Sequence, residues 1–203
     1  MFPQRKSFRV ERISWNKAHS LAKIVAKKIK YSGWKPDIII GILRGGPIPA
    51  KIISDYLLQK NVAAIRVIHY WLRIGKPTKA KVIYPLDIDL KGKKVLLVDD
   101  VADTSSTLEA GISYLKKFNP KEIKVAVLHH KIVSKIKPDF YAAKVVKWRW
   151  ISYAWAMHED LVDLIGRFYK KGMKTPQIRA ELKKRFMLDT KPEDIDDAVV
   201  DLR

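Results

Sequence analysis

Val95-Leu96-Leu97-Val98-Asp99-Asp100-Val101-Ala102-Asp103-Thr104-Ser105-Ser106-Thr107 decides the fold, because it passes from a continuous apolar run through clustered acids to a run of hydroxyls. Four apolar residues in succession after Lys94 read as a strand buried on both faces, the habit of a parallel sheet. The turn that follows opens a helix expected over about 105–118, with Leu108, Ile112 and Leu115 inward. Strand, polar turn, helix is the ligand-binding geometry of open α/β sheets. Backbone N–H groups at a helix N-terminus, helped by Thr and Ser hydroxyls, make an anion cradle. Carboxylates beside it accept hydrogen bonds from sugar hydroxyls or face a hydrated divalent cation. Capping alone needs one such residue rather than a run of acids and hydroxyls. The segment therefore suits a phosphorylated sugar accompanied by a metal.

The flanking sequence extends the same architecture. Apolar residues at Trp15, Ala18, Leu21, Ala22, Val25 and Ala26 recur at helical spacing and predict an amphipathic helix over 14–30, closed by Ser32-Gly33. Asp37 to Leu43 is a second buried strand, Arg44-Gly45-Gly46-Pro47 a turn, 48–58 a crossover helix and 63–68 another strand, a βαβ unit. Residues 70–84 carry Gly75, Pro77 and several lysines without periodicity. They are expected to form a long loop or a pair of irregular strands and to act as a lid. Lys124 to Leu128 is a further strand, and a Lys-rich irregular linker leads to the aromatic stretch Lys147-Trp148-Arg149-Trp150-Ile151.

Charge divides the chain. The net charge is +20, yet residues 158–203 hold ten basic and ten acidic side chains, so the whole excess lies in 1–157. A basic body with Asp99, Asp100 and Asp103 clustered in it fits a polyanionic ligand handled by local carboxylates. The neutral remainder reads as about three short helices: Thr175-Pro176 is a helix start, Thr190 and Glu193 have capping-box spacing, and Ile195, Ala198, Val199 and Leu202 make an apolar face. Two domains are expected, 1–157 and a small helical extension over 158–203. Neutrality makes that extension a poor nucleic-acid module. With no cysteine there is neither a disulfide nor a thiolate metal site. No apolar run spans a bilayer and the N-terminus has no secretory pattern, so a soluble, cytoplasmic protein without a membrane partner is expected.

The 95–107 segment resembles the binding motif for phosphoribosyl pyrophosphate (PRPP) of type I phosphoribosyltransferases: four apolar residues, two acids, a short spacer and a Thr-Gly-x-Thr-like phosphate loop. One departure is evident, Ser105 standing where the family usually has glycine, so the loop must hold a tight backbone without glycine's freedom. Ile42-Leu43-Arg44-Gly45-Gly46 resembles the family's pyrophosphate loop, whose entering peptide is often a non-proline cis bond, here Leu43-Arg44. The likeness is strongest to bacterial xanthine-guanine phosphoribosyltransferases and runs from Ser14-Trp15 to about Trp155. It implies an α/β, type I phosphoribosyltransferase fold, a mainly parallel sheet flanked by helices with a small base-binding hood, here followed by the helical extension.

The resemblance also implies roles. Leu43, Arg44, Gly45 and Gly46 hold the pyrophosphate. Asp99 and Asp100 position the ribose hydroxyls and face Mg2+, mainly through PRPP and water. Asp103, Thr104, Ser105, Ser106 and Thr107 form the 5-phosphate loop, with Asp103 the general acid/base at the purine imidazole nitrogen. Lys131 contacts the purine 6-oxygen, Trp150 stacks on the ring, and the Ile151 backbone meets the base edge. Trp148 and Trp150 also fit the plainer role of core aromatics, and Lys131 that of a surface lysine. The expected reaction joins a purine, with a 6-oxopurine favoured, to PRPP and releases pyrophosphate in purine salvage, within a homo-oligomer (dimer or tetramer). Adenine as the base, or a non-catalytic PRPP or nucleotide sensor, are the alternatives.

Overall fold

The computed structural model describes residues 6–69 and 80–202. They fall into two compact units, one within residues 16–146 and one, from both ends of the chain, within 6–15 and 147–202.

The larger unit is built on a six-stranded sheet. In chain order it contains helix α1 (Trp15–Tyr31), strand β2 (Ile38–Leu43), α2 (Pro47–Leu57), β3 (Val62–His69), β4 (Ala80–Tyr84), β5 (Lys94–Ala102), α3 (Ser106–Lys116), β6 (Glu122–Lys131) and β7 (Phe140–Val145); β1 (Val10–Ile13) belongs to the smaller unit. The strand order is β4-β3-β2-β5-β6-β7. Among the described residues of this sheet only the β3–β4 pairing is antiparallel. Alternation explains the unbroken apolar runs. Ile38, Ile40, Ile42, Val95, Leu97, Val125 and Val127 join one core with Leu108 and Leu115 of α3. Ile39, Leu96, Val98, Ala126 and Leu128 are equally buried at the intervening positions.

This order places the ligand site. From β2 the chain moves outward to β3 and β4, then returns to β5 on the other side of β2. The carboxyl ends of β2 and β5 thus flank a topological switch point, where open α/β sheets take their ligands.

The smaller unit pairs β1 in parallel with β8 (Trp150–Tyr153), Val10 opposite Trp150. Three helices follow, α4 (Met157–Gly166), α5 (Thr175–Phe186) and α6 (Pro192–Val200). Val10, Leu161, Leu164, Ile165, Ile178, Leu182, Phe186, Leu188 and Ile195 form its apolar core, with Phe8 and Trp150 packed against them. The Phe8 amide donates to the Arg185 carbonyl at 3.0 Å, and the Arg12 guanidinium donates to the Asp189 carbonyl at 3.2 Å.

Several expectations are modified. The division expected at 157/158 falls inside the smaller unit, because β8 and the N-terminal β1 share a core with α4–α6. Trp15 is exposed at the start of α1 and tilts against Trp155 at 5.7 Å; Ile29 completes the buried stripe instead. The expected Thr190–Glu193 box is not formed, since Lys191 is the N-cap of α6 and the Thr190 hydroxyl donates to Asp194 at 2.9 Å. The Lys-rich linker contains β7, and the 70–84 segment ends in β4. Residues 70–79, the body of the expected lid, lie outside the described residues.

Candidate active site

The turn after β2 is compact. The Leu43–Arg44 peptide is cis, as the resemblance implied. The Gly46 amide donates back to the Ile42 carbonyl at 2.8 Å, and Pro47 starts α2 without needing an N–H donor. Close approach explains both glycines. A Cβ on Gly45 would lie 2.0 Å from Asp100 Oδ2, and one on Gly46 would lie 2.4 Å from the Val98 carbonyl oxygen and 2.5 Å from the Ile42 nitrogen. The turn therefore lies flat against the end of β5. Because backbone blocks the position on several sides, Gly46→Ala is expected to cost about 2 kcal/mol or more of stability, the scale of an overpacked core, measurable by urea unfolding.

β5 runs past its apolar stretch through both acids to Ala102, so Asp99 and Asp100 point to opposite faces. They were expected to act together; the strand separates them. Asp100 lies against Gly45, whereas Asp99 is buried and accepts the Asp100 amide at 2.9 Å. Burial, reinforced by the neighbouring Asp100 charge and opposed by that amide, pushes the Asp99 carboxyl well above the usual carboxylate range.

Past β5 the chain makes the loop that opens α3. Thr104 is exposed, its hydroxyl 3.2 Å from that of Ser106, and Ser105 adopts a left-handed conformation with φ 71°. Ser105 departs from the expected set of phosphate-facing hydroxyls. The residue is only 4% exposed, and its hydroxyl bonds to Ser134 Oγ at 2.5 Å and to the Ile136 amide at 3.0 Å. A bound phosphate would meet its backbone rather than its hydroxyl.

Lys131, at the end of β6, is 2% exposed, which excludes the surface role. Its ammonium lies 2.5 Å from Asp103 Oδ2. A buried ammonium needs such a counter-charge, and the pairing brings together two residues that sequence alone places far apart. Trp150 and Ile151 belong to the smaller unit. Trp150 is half-buried and donates its indole N–H to Asp160 at 3.0 Å, and Ile151 is buried within β8. Burial, opposed by hydrogen bonds from Ser152 and Trp150, raises the Asp160 carboxyl above its usual range. Trp148 meets Phe8 edge-on at 5.8 Å.

Sequence reasoning missed Ser134, Ile136 and Asp160. The serine in a glycine's place was the one signal that Ser105 needed a partner; nothing marked Ser134 or Asp160.

A switch point flanked by a Gly-Gly turn, a buried Lys–Asp pair and a hydroxyl-rich helix start is the arrangement expected of a protein that takes phosphorylated sugars. The phosphoribosyl transferase domain model matches residues 14–160. The chain belongs to that family. Hypoxanthine-guanine phosphoribosyltransferase of Saccharomyces cerevisiae is 30% identical, over 70% of this chain and 84% of that protein. Xanthine-guanine phosphoribosyltransferase of Cereibacter sphaeroides is 28% identical, over 79% of this chain and 93% of that protein. The crystal structure of a purine phosphoribosyltransferase from Pyrococcus horikoshii superposes with a TM-score of 0.65 at 36% identity, covering 72% of this chain and 93% of that one. The family match ends inside α4, so α5 and α6 lie beyond it.

Proposed function

We propose that this chain is a 6-oxopurine phosphoribosyltransferase of purine salvage, converting hypoxanthine, guanine or xanthine and PRPP to the nucleoside monophosphate and pyrophosphate. The observation that carries the base preference is the buried Lys131 ammonium, 2.5 Å from the Asp103 carboxylate. An ammonium has three N–H donors, and in the liganded protein one of them would serve a purine 6-oxygen. An adenine 6-amine would present it with a donor instead. The relatives named above, which act on hypoxanthine, guanine and xanthine by their names, support the same choice.

The remaining roles follow from position. Backbone amides at the start of α3, with Thr104, Ser106 and Thr107, hold the 5-phosphate. Arg44 and the Gly45 and Gly46 backbone hold the pyrophosphate. Asp103 moves the proton at the purine imidazole nitrogen. Trp150 and Ile151 provide the ring contact and the base-edge contact. Asp100, beside the pyrophosphate turn, suits Mg2+, which binds through one or two carboxylates together with substrate phosphates, while Asp99, on the opposite face, steadies that strand end by accepting the Asp100 amide. Bound beside Asp100, the ion would neutralise charge on the departing pyrophosphate.

The reaction is assigned to the cytoplasm and to a homo-oligomer, dimer or tetramer, whose mass light scattering would give. No helix among the described residues is long and apolar enough to cross a membrane.

Lys131→Met tests the base assignment. Loss of one charge-assisted hydrogen bond, about 1.5–3 kcal/mol, is expected to raise the hypoxanthine KM about tenfold to a hundredfold, with the PRPP KM changed much less. Equal weakening of both substrates, or a gain for neither purine class over the other, would contradict the role given to Lys131.

A further inference from the structure

We propose that Ser105, Ser134 and Ile136 form a clasp that pre-forms the 5-phosphate loop, with Ser105 and Ser134 as positioning residues rather than phosphate ligands. The inference rests on the PRPP-binding role assigned to the 103–107 loop.

Ser105 holds the left-handed conformation that glycine adopts without cost, φ 71°, at the position where the motif usually has glycine. A side chain there is unfavourable unless its contacts compensate. The contacts form a closed set. The Ser134 hydroxyl donates to the Ile136 carbonyl at 2.6 Å, which commits its one proton. The 2.5 Å contact between the two hydroxyls is therefore a donation from Ser105 to Ser134, while Ser105 Oγ accepts the Ile136 amide at 3.0 Å. The Ser105 proton is thus used within the clasp.

The clasp has a particular location. The Ser134 amide donates to the Lys131 carbonyl at 3.0 Å, so the turn that clasps Ser105 is the turn that closes β6. Lys131 on that strand end grips Asp103. Two ties, Asp103–Lys131 and Ser105–Ser134/Ile136, therefore join the same pair of segments, 103–105 and 131–136. The phosphate loop is held in shape before ligand arrives, and less ordering is left for PRPP binding to impose. Where a glycine loop is free to adopt its conformation, this one is fastened into it.

The test compares wild type, Ser134→Ala and Ser134→Thr by amide hydrogen exchange of a peptide covering 103–108 in unliganded protein, and by steady-state kinetics. Ser134→Ala removes the acceptor of the Ser105 proton and the tie to Ile136. It is expected to speed exchange and to raise the PRPP KM, each about fivefold to tenfold, the effect of about one hydrogen bond, with kcat within about twofold. Ser134→Thr keeps the hydroxyl and is expected to restore both. Unchanged exchange in Ser134→Ala overturns the clasp. Faster exchange with an unchanged PRPP KM, or equal losses in kcat and in both KM values, overturns the positioning role. If wild type shows no PRPP-dependent turnover, the assigned function fails, while the exchange measurement still decides whether the clasp exists.

Discussion

Asp103→Asn is expected to lower turnover about a hundredfold to ten-thousandfold, the range contributed by a positioned acid or base. PRPP affinity should change by less than about threefold. Asparagine matches the shape of aspartate, and its carbonyl oxygen still accepts a bond from the Lys131 ammonium, 2.5 Å away in the native pair. What it cannot do is take or return a proton at the base nitrogen. The phosphate loop keeps its backbone and its clasp on Ser134 and Ile136, so the sugar phosphate keeps its cradle. Rapid-quench turnover set beside calorimetric PRPP binding separates the two effects, and retained binding also reports a folded loop despite the lost counter-charge. Undiminished turnover would remove Asp103 from the chemistry. Parallel loss of binding would make it a structural partner of Lys131.

A chain ending at residue 157 is expected to lose soluble, folded protein and with it all turnover. The helices it would lack supply Leu161, Leu164, Ile165, Ile178, Leu182, Phe186 and Ile195, all fully buried, to a core shared with Val10, Phe8 and Trp150. Burying one such side chain is worth about 1.5–3 kcal/mol, so seven contribute about 10–20 kcal/mol, as much as the 5–15 kcal/mol that holds an ordinary domain together. β1 and β8 would keep their mutual pairing but lose their apolar cover, and Trp150 would lose Asp160. Since Trp150 and Ile151 carry the proposed base contacts, base binding should fail with the tail. A soluble, monodisperse 1–157 chain with full activity, by size-exclusion chromatography and assay, would show that the helices are an appendage.

The segment from Val95 to Thr107 was legible because a strand buried on both faces leaves an unbroken apolar run, and because acids and hydroxyls in succession have few structural uses. β2, α2 and α3 were legible for related reasons of period and punctuation. The edges were not. β1 is four residues long, and β7 alternates poorly because three half-buried residues run in succession through it. Charge neutrality drew the domain division at 157/158, and neutrality says nothing about pairing between residues 10 and 150, which only the folded chain brings together. The paired acids were read as one constellation, although strand geometry sends Asp99 and Asp100 to opposite faces; extension of β5 beyond its apolar run was the missing step. Lys131 could be singled out by resemblance, but its burial against Asp103 depends on a long-range contact. Ser134 carried no mark in the sequence, since one serine in a polar turn has many uses.

The most direct measurement is pyrophosphate release from PRPP and Mg2+ with hypoxanthine, guanine, xanthine, adenine, uracil and orotate supplied one at a time. Release with at least one 6-oxopurine, and far less with adenine, uracil or orotate, is the expected result. Release with adenine alone would contradict the part assigned to Lys131, and PRPP binding without release for any base would make the protein a sensor rather than an enzyme.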